Sequence, residues 1–160
     1  RGYSWRLTTL TIVTAVGLFA LILMGSYMVG LGYGSVCGTW PLCRDSFLPE
    51  GTGSAVNMLH RYVAVIVGVF IIAMLVSAWS HRTRLPDMKW ASFIVVGLLL
   101  VQVLVGALIV WTGFMELIKA IHLSIATLLW ASVVWIATFT FSPRYLKVIQ
   151  EGCRLQTISP

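Results

Sequence analysis

Four long apolar segments, 7–31, 55–79, 90–112 and 117–141, dominate this chain. Each exceeds the roughly 20 residues that a hydrocarbon core of about 30 Å demands. Backbone N–H and C=O groups find no water in that core, so a single crossing of this composition has to be a helix. Composition agrees: 59% of the 160 residues are hydrophobic, 10% are charged, and the mean hydropathy is +0.93. A soluble domain of this length needs more charged surface. The expected fold is an all-α integral membrane protein, a four-transmembrane-helix bundle forming a single membrane domain over 1–160. The first span is longer than a secretory leader and carries no small-residue cleavage site, so a permanent helix is expected.

Lysine and arginine set the orientation, because cytoplasmic loops carry their excess. Arg1 and Arg6 open the chain, Arg82, Arg84 and Lys89 lie in the 80–89 loop, and Arg144, Lys147 and Arg154 lie in the tail 142–160. The opposite loop, 32–54, holds Arg44 beside Asp45 and Glu50. The expectation is a multi-pass protein of the cell membrane with both termini cytoplasmic. The net charge of +6 lies where topology and anionic membrane lipid want it, and no nucleic-acid partner is implied.

His60 and His122 each fall about five residues inside the start of a span, the second and the fourth. Alternate crossing brings both to one depth, roughly 7 Å under the outer face at 1.5 Å per residue. An ionisable side chain inside a span marks function by default. Hydrogen-bonded packing accounts for one such histidine but gives no reason for a matched pair, whereas a bis-histidine site for haem iron does. His81 lies among arginines in the 80–89 loop and needs no such role.

The neighbours suit a porphyrin. Ala64, Val67 and Gly68 follow His60 on its helix face, and Ala126 and Trp130 follow His122; small residues beside each ligand leave room for a flat macrocycle. Arg61 and Lys119 can pair with haem propionates or snorkel to the interface. Gln102, a polar amide near mid-membrane, should bond another helix or the ligand.

A weak repeat links the halves. Val16-Gly17-Leu18 with Gly25 and Gly32 parallels Val96-Gly97-Leu98 with Gly106 and Gly113, and a histidine-bearing helix follows each. The bundle then reads as two pseudo-repeated helical hairpins related by an axis along the membrane normal. The first hairpin carries the long outer loop 32–54, with Cys37 and Cys43 six residues apart. An oxidising outer compartment and the turn favoured by Pro41 predict a disulfide between them, either a structural brace or a redox pair. Cys153 in the tail is expected to be a free thiol.

Together these residues resemble the haem A synthase family. The resemblance is carried by the Cys37–Cys43 run with its Trp40-Pro41-Leu42-Cys43 end, by His60-Arg61, by Gln102-Val103-Leu104-Val105-Gly106-Ala107 and by Ile121-His122-Leu123. Usual members have eight helices in two halves, each with a histidine pair, one half for substrate haem O and the other for a haem b cofactor. This chain is similar to one half, and so to compact, half-length members of archaeal type. The resemblance implies oxidation of a methyl of haem O to the formyl of haem A, with water as oxygen source. It also implies a homodimer restoring two sites, and haem O synthase or a terminal oxidase as partner. A non-catalytic b-type cytochrome carrying electrons or haem is the alternative. A disulfide-generating oxidase also uses four helices, but it needs a Cys-x-x-Cys pair that this chain lacks.

One position departs from the family. Substrate halves place a glutamate three residues before the first histidine, where this chain has Asn57, and an amide cannot take a proton as a carboxylate does. Either Glu50 or Glu116 supplies the catalytic carboxylate from a loop, or the chain binds haem without oxidising it.

Overall fold

A computed structural model describes residues 2–79 and 86–141. It contains α1 (Gly2–Gly30), a 3-10 turn (Tyr33–Ser35), α2 (Thr52–Trp79), α3 (Pro86–Trp111) and α4 (Glu116–Thr140). All four helices are long and apolar enough to cross a membrane, and the described residues form no strand. Three helices start several residues before their expected spans, α1 at Gly2, α2 at Thr52 and α3 at Pro86, because helical hydrogen bonding does not stop where hydrocarbon ends. Proline suits the first position of α3, where an N–H would have no partner. His81, most of the 80–89 loop, the tail 142–160 and Cys153 lie outside the described residues.

The outward faces are apolar. Val16, Val65, Val76, Leu100 and Leu104 are all exposed, and a helix without a polar face belongs in lipid. Several hydroxyls inside the spans bond the preceding turn, as Thr11 does to Leu7 O, Ser92 to Met88 O and Ser124 to Ala120 O, whereas the buried Thr14 hydroxyl has no partner. The chain is a multi-pass membrane protein.

Around the bundle α1 packs on α2 and α4, and α3 packs on α4, while α2 and α3 meet along a shorter seam. The two histidine-bearing helices, α2 and α4, are therefore diagonal. The main core occupies the end away from the long loop. Its members closest to that loop are Leu18 on α1, Val67 on α2, Val95 on α3 and Leu129 on α4. Beyond that level the buried side chains of the helices are small, polar or flexible: Met28, Ser54, Asn57, Met58, Ala107 and Ala126.

The repeat is visible in the backbone. Leu31 N–H bonds Tyr27 O and Gly32 N–H bonds Val29 O; 81 residues later Thr112 N–H bonds Leu108 O and Gly113 N–H bonds Val110 O. Gly32 and Gly113 have φ of 74° and 70°, the left-handed conformation that ends a helix and favours glycine. This register pairs Gly25 with Gly106 and moves Val16-Gly17-Leu18 one residue out of step with Val96-Gly97-Leu98. The packing explains the slip: a Cβ on Gly17 would stand 3.4 Å from Val67, while one on Gly97 would meet nothing within 4 Å.

Candidate functional site

His60 and His122 stand in the half of the bundle that lacks the large core. Each lies seven residues before the outermost core residue of its own helix, Val67 or Leu129, about 10 Å along the axis. Counted from the helix starts at Thr52 and Glu116, the depths differ by two residues. Measured from the core they match. Each ring rests on a glycine of the preceding helix: a Cβ on Gly25 would stand 3.1 Å from His60 Cε1, and one on Gly106 would stand 3.2 Å from His122 Cε1. A larger residue at either place would push the imidazole aside.

Polar atoms here are left over. His60 Nδ1, His122 Nδ1 and Gln102 Oε1 are buried without a hydrogen-bond partner, which is costly in an apolar setting. Gln102 Nε2 lies 3.1 Å from His122 Nε2, so Gln102 joins α3 to α4. Among the described residues no three of His, Cys, Asp or Glu gather to hold a bare metal ion. Two imidazoles on diagonal helices, unsatisfied ring nitrogens and a level of the bundle without large buried side chains suit a haem, whose macrocycle would bring the other four iron ligands itself.

Arg61 and Asn57 turn toward the long loop. Arg61 donates from Nη1 to Thr39 O and Pro41 O, each at 2.8 Å, and from Nε to Asn57 Oδ1 at 3.2 Å. The Asn57 amide in turn donates to Tyr33 O at 3.0 Å and Gly34 O at 3.5 Å. A carboxylate cannot make those last bonds, so the amide at Asn57 has a structural reason. The loop is further held by Tyr62, whose hydroxyl donates to Phe47 O, and by Trp40, which stacks edge-on against Trp111 of α3 at 6.0 Å. It thus reaches from α2 across to α3, over the shorter seam.

Cys37 and Cys43 form a disulfide. Both are fully buried and pack on Met58, Leu42 and Tyr62 in a small second core.

The remaining predicted residues do not join the imidazoles. Lys119 pairs with Glu116 at 2.6 Å, and the Glu116 side chain is 87% exposed. Glu50 is exposed on the loop. Trp130 donates its indole N–H to Ala15 O at 3.1 Å and stacks near Phe19, clamping α4 to α1. Sequence reasoning missed Gly25 and Gly106 as ring supports, although both were visible in the repeat.

Residues 52–158 match the COX15-CtaA family, described as cytochrome oxidase assembly protein. A haem A synthase of Shouchella clausii (strain KSM-K16) is 32% identical over 138 residues, covering 84% of this chain and 46% of the relative. One of Alkalihalophilus pseudofirmus is 32% identical over 139 residues, covering 85% of this chain and 47% of the relative. One of Bacillus licheniformis is 31% identical over 134 residues, covering 82% and 44%. The chain spans a little under half the length of the curated relatives it matches.

Proposed function

Because the chain belongs to the COX15-CtaA family of cytochrome oxidase assembly proteins, we propose that it is a haem-binding unit of haem A synthase type, in which His60 and His122 would hold the haem iron. The observation that carries this reading is the pair of imidazoles on diagonal helices, each backed by a glycine and each seven residues beyond the core. When bound, the haem supplies either the methyl group to be oxidised or an electron-accepting iron. The protein orients the rings, excludes water with its apolar helices and closes the loop end with the disulfide-bearing segment. We place that end on the outer face of the cell membrane, from the distribution of lysine and arginine.

Oxidation of a methyl to a formyl with water removes four electrons and four protons, so a catalytic unit needs a proton acceptor beside the ring. Asn57 is committed to backbone carbonyls and Arg61, Glu50 is exposed, and Glu116 is paired with Lys119. That arrangement favours a second reading, in which this unit holds haem b as an electron carrier.

Expression in a host that makes haem O, followed by reversed-phase separation and mass analysis of the extracted haems, separates the two. Haem A or its hydroxylated precursor supports catalysis; haem b alone supports the cytochrome. Ligation is tested alongside. His60→Ala and His122→Ala should each lose the low-spin bis-imidazole spectrum, and its survival in the double variant would place the site elsewhere.

A further inference from the structure

The repeat equates His60 with His122 in their settings, and Gly25 with Gly106, but one neighbour breaks it. The same displacement of 81 residues that relates the ends of α1 and α3 sets Gln102 against Leu21, a partly buried residue packed on the core. On α3 the amide of Gln102 reaches His122 Nε2 at 3.1 Å. On α1 a leucine side chain offers His60 no hydrogen bond. With its nitrogen turned to the ring the amide donates, so in this arrangement His122 Nε2 accepts and the proton of the neutral ring belongs on Nδ1. The lone pair that Gln102 occupies is then the one a metal would use.

We propose that Gln102 is a positioning residue that would compete with iron for His122 Nε2, so that His122 would be the exchangeable iron-holding residue and His60 the fixed one. This rests on the reading that haem lies between the two histidines. Without ligand, the amide satisfies a ring nitrogen that would otherwise be unpaired inside the membrane. Coordination has to break that bond, and its strength is subtracted from the affinity of the site. Leu21 imposes no such cost on His60. The unpartnered Gln102 Oε1 leaves the amide held mainly through the ring, so it can swing away and return.

The test is equilibrium titration of haem b into the full chain in detergent, followed by absorbance. Gln102→Leu, which copies Leu21, is expected to bind haem b about three- to tenfold more tightly than the unmodified chain, with the bis-imidazole spectrum kept. Leu21→Gln is expected to weaken binding by a similar factor, and it decides alone if Gln102→Leu is not recovered folded. Unchanged or weaker binding by Gln102→Leu, or unchanged or tighter binding by Leu21→Gln, overturns the role of Gln102. A bis-imidazole spectrum in the unmodified chain with equal affinities throughout removes this inference and leaves the haem reading standing; absence of that spectrum removes both.

Discussion

Arg61 follows Asn57 by one turn of α2, and its Nε–H donates to the Asn57 side-chain oxygen at 3.2 Å. The pair is a relay: Asn57 passes its own N–H groups to the Tyr33 and Gly34 carbonyls while Arg61 takes those of Thr39 and Pro41. Two side chains on one helix thereby bind the turn before the disulfide and the run that the disulfide closes. Asn57→Ala should lower stability by about 1–3 kcal/mol, the cost of leaving partly buried carbonyls and part of a guanidinium unpaired, read as a drop in thermal midpoint. Asn57→Glu keeps a partner for Arg61 but sets a carboxylate against Tyr33 O, so it should also loosen the loop and give no gain in haem A. A rise in haem A with Asn57→Glu would subordinate bracing to catalysis.

The ring-supporting glycines make a second prediction. Gly25→Val and Gly106→Val should displace His60 and His122 and cut haem content several-fold, since even a methyl at either site crowds the ring at 3.1–3.2 Å. Gly97→Ala meets nothing within 4 Å and should be neutral or stabilising by up to about 1 kcal/mol. Pyridine haemochrome yield against helicity by circular dichroism distinguishes lost ligation from lost fold. Equal haem content in all three variants would mean that the rings do not need these supports.

Cys37 and Cys43 should be found bonded in protein isolated without reductant, by mass after alkylation. Replacing both with serine should cost about 2–3 kcal/mol on the loop-entropy account and raise cleavage of the loop by added protease. Because both sulfurs are fully buried, millimolar reductant should open the bond only slowly in the folded protein. Rapid opening would move the pair from brace to redox couple.

Orientation has its own measurement. A thiol probe that cannot membranes penetrate should label Cys153 in cells only after permeabilisation. Labelling of intact cells would put the disulfide loop on the cytoplasmic side.

The four spans, and the level at which His60 and His122 sit in them, were legible in the sequence because both depend on where polar atoms interrupt apolar runs. The repeat was legible in outline. Its register was not, since Gly17 and Gly97 match by letter while only Gly17 is closely approached by another helix. Arg61 reads as a propionate partner in isolation because its carbonyl acceptors lie 20 and 22 residues away in an irregular loop. Trp130 finds Ala15 O across 115 residues, a pairing set by how α4 leans on α1. Glu116 and Lys119 are three apart on one helix, and that pairing was open to prediction from spacing alone.

A bundle whose large apolar core stops at Leu18, Val67, Val95 and Leu129 is held together unequally along its length. The end away from the loop carries its own cohesion. The other end has a disulfide, a relay of hydrogen bonds and two glycine-backed rings, and its remaining cohesion has to come from what it contains. Loading and folding are then coupled through that half alone: a ligand bound there raises the cost of local opening where it sits. Amide exchange near His60 and His122 should slow on loading, while exchange around Met74 and Ile136 should barely change.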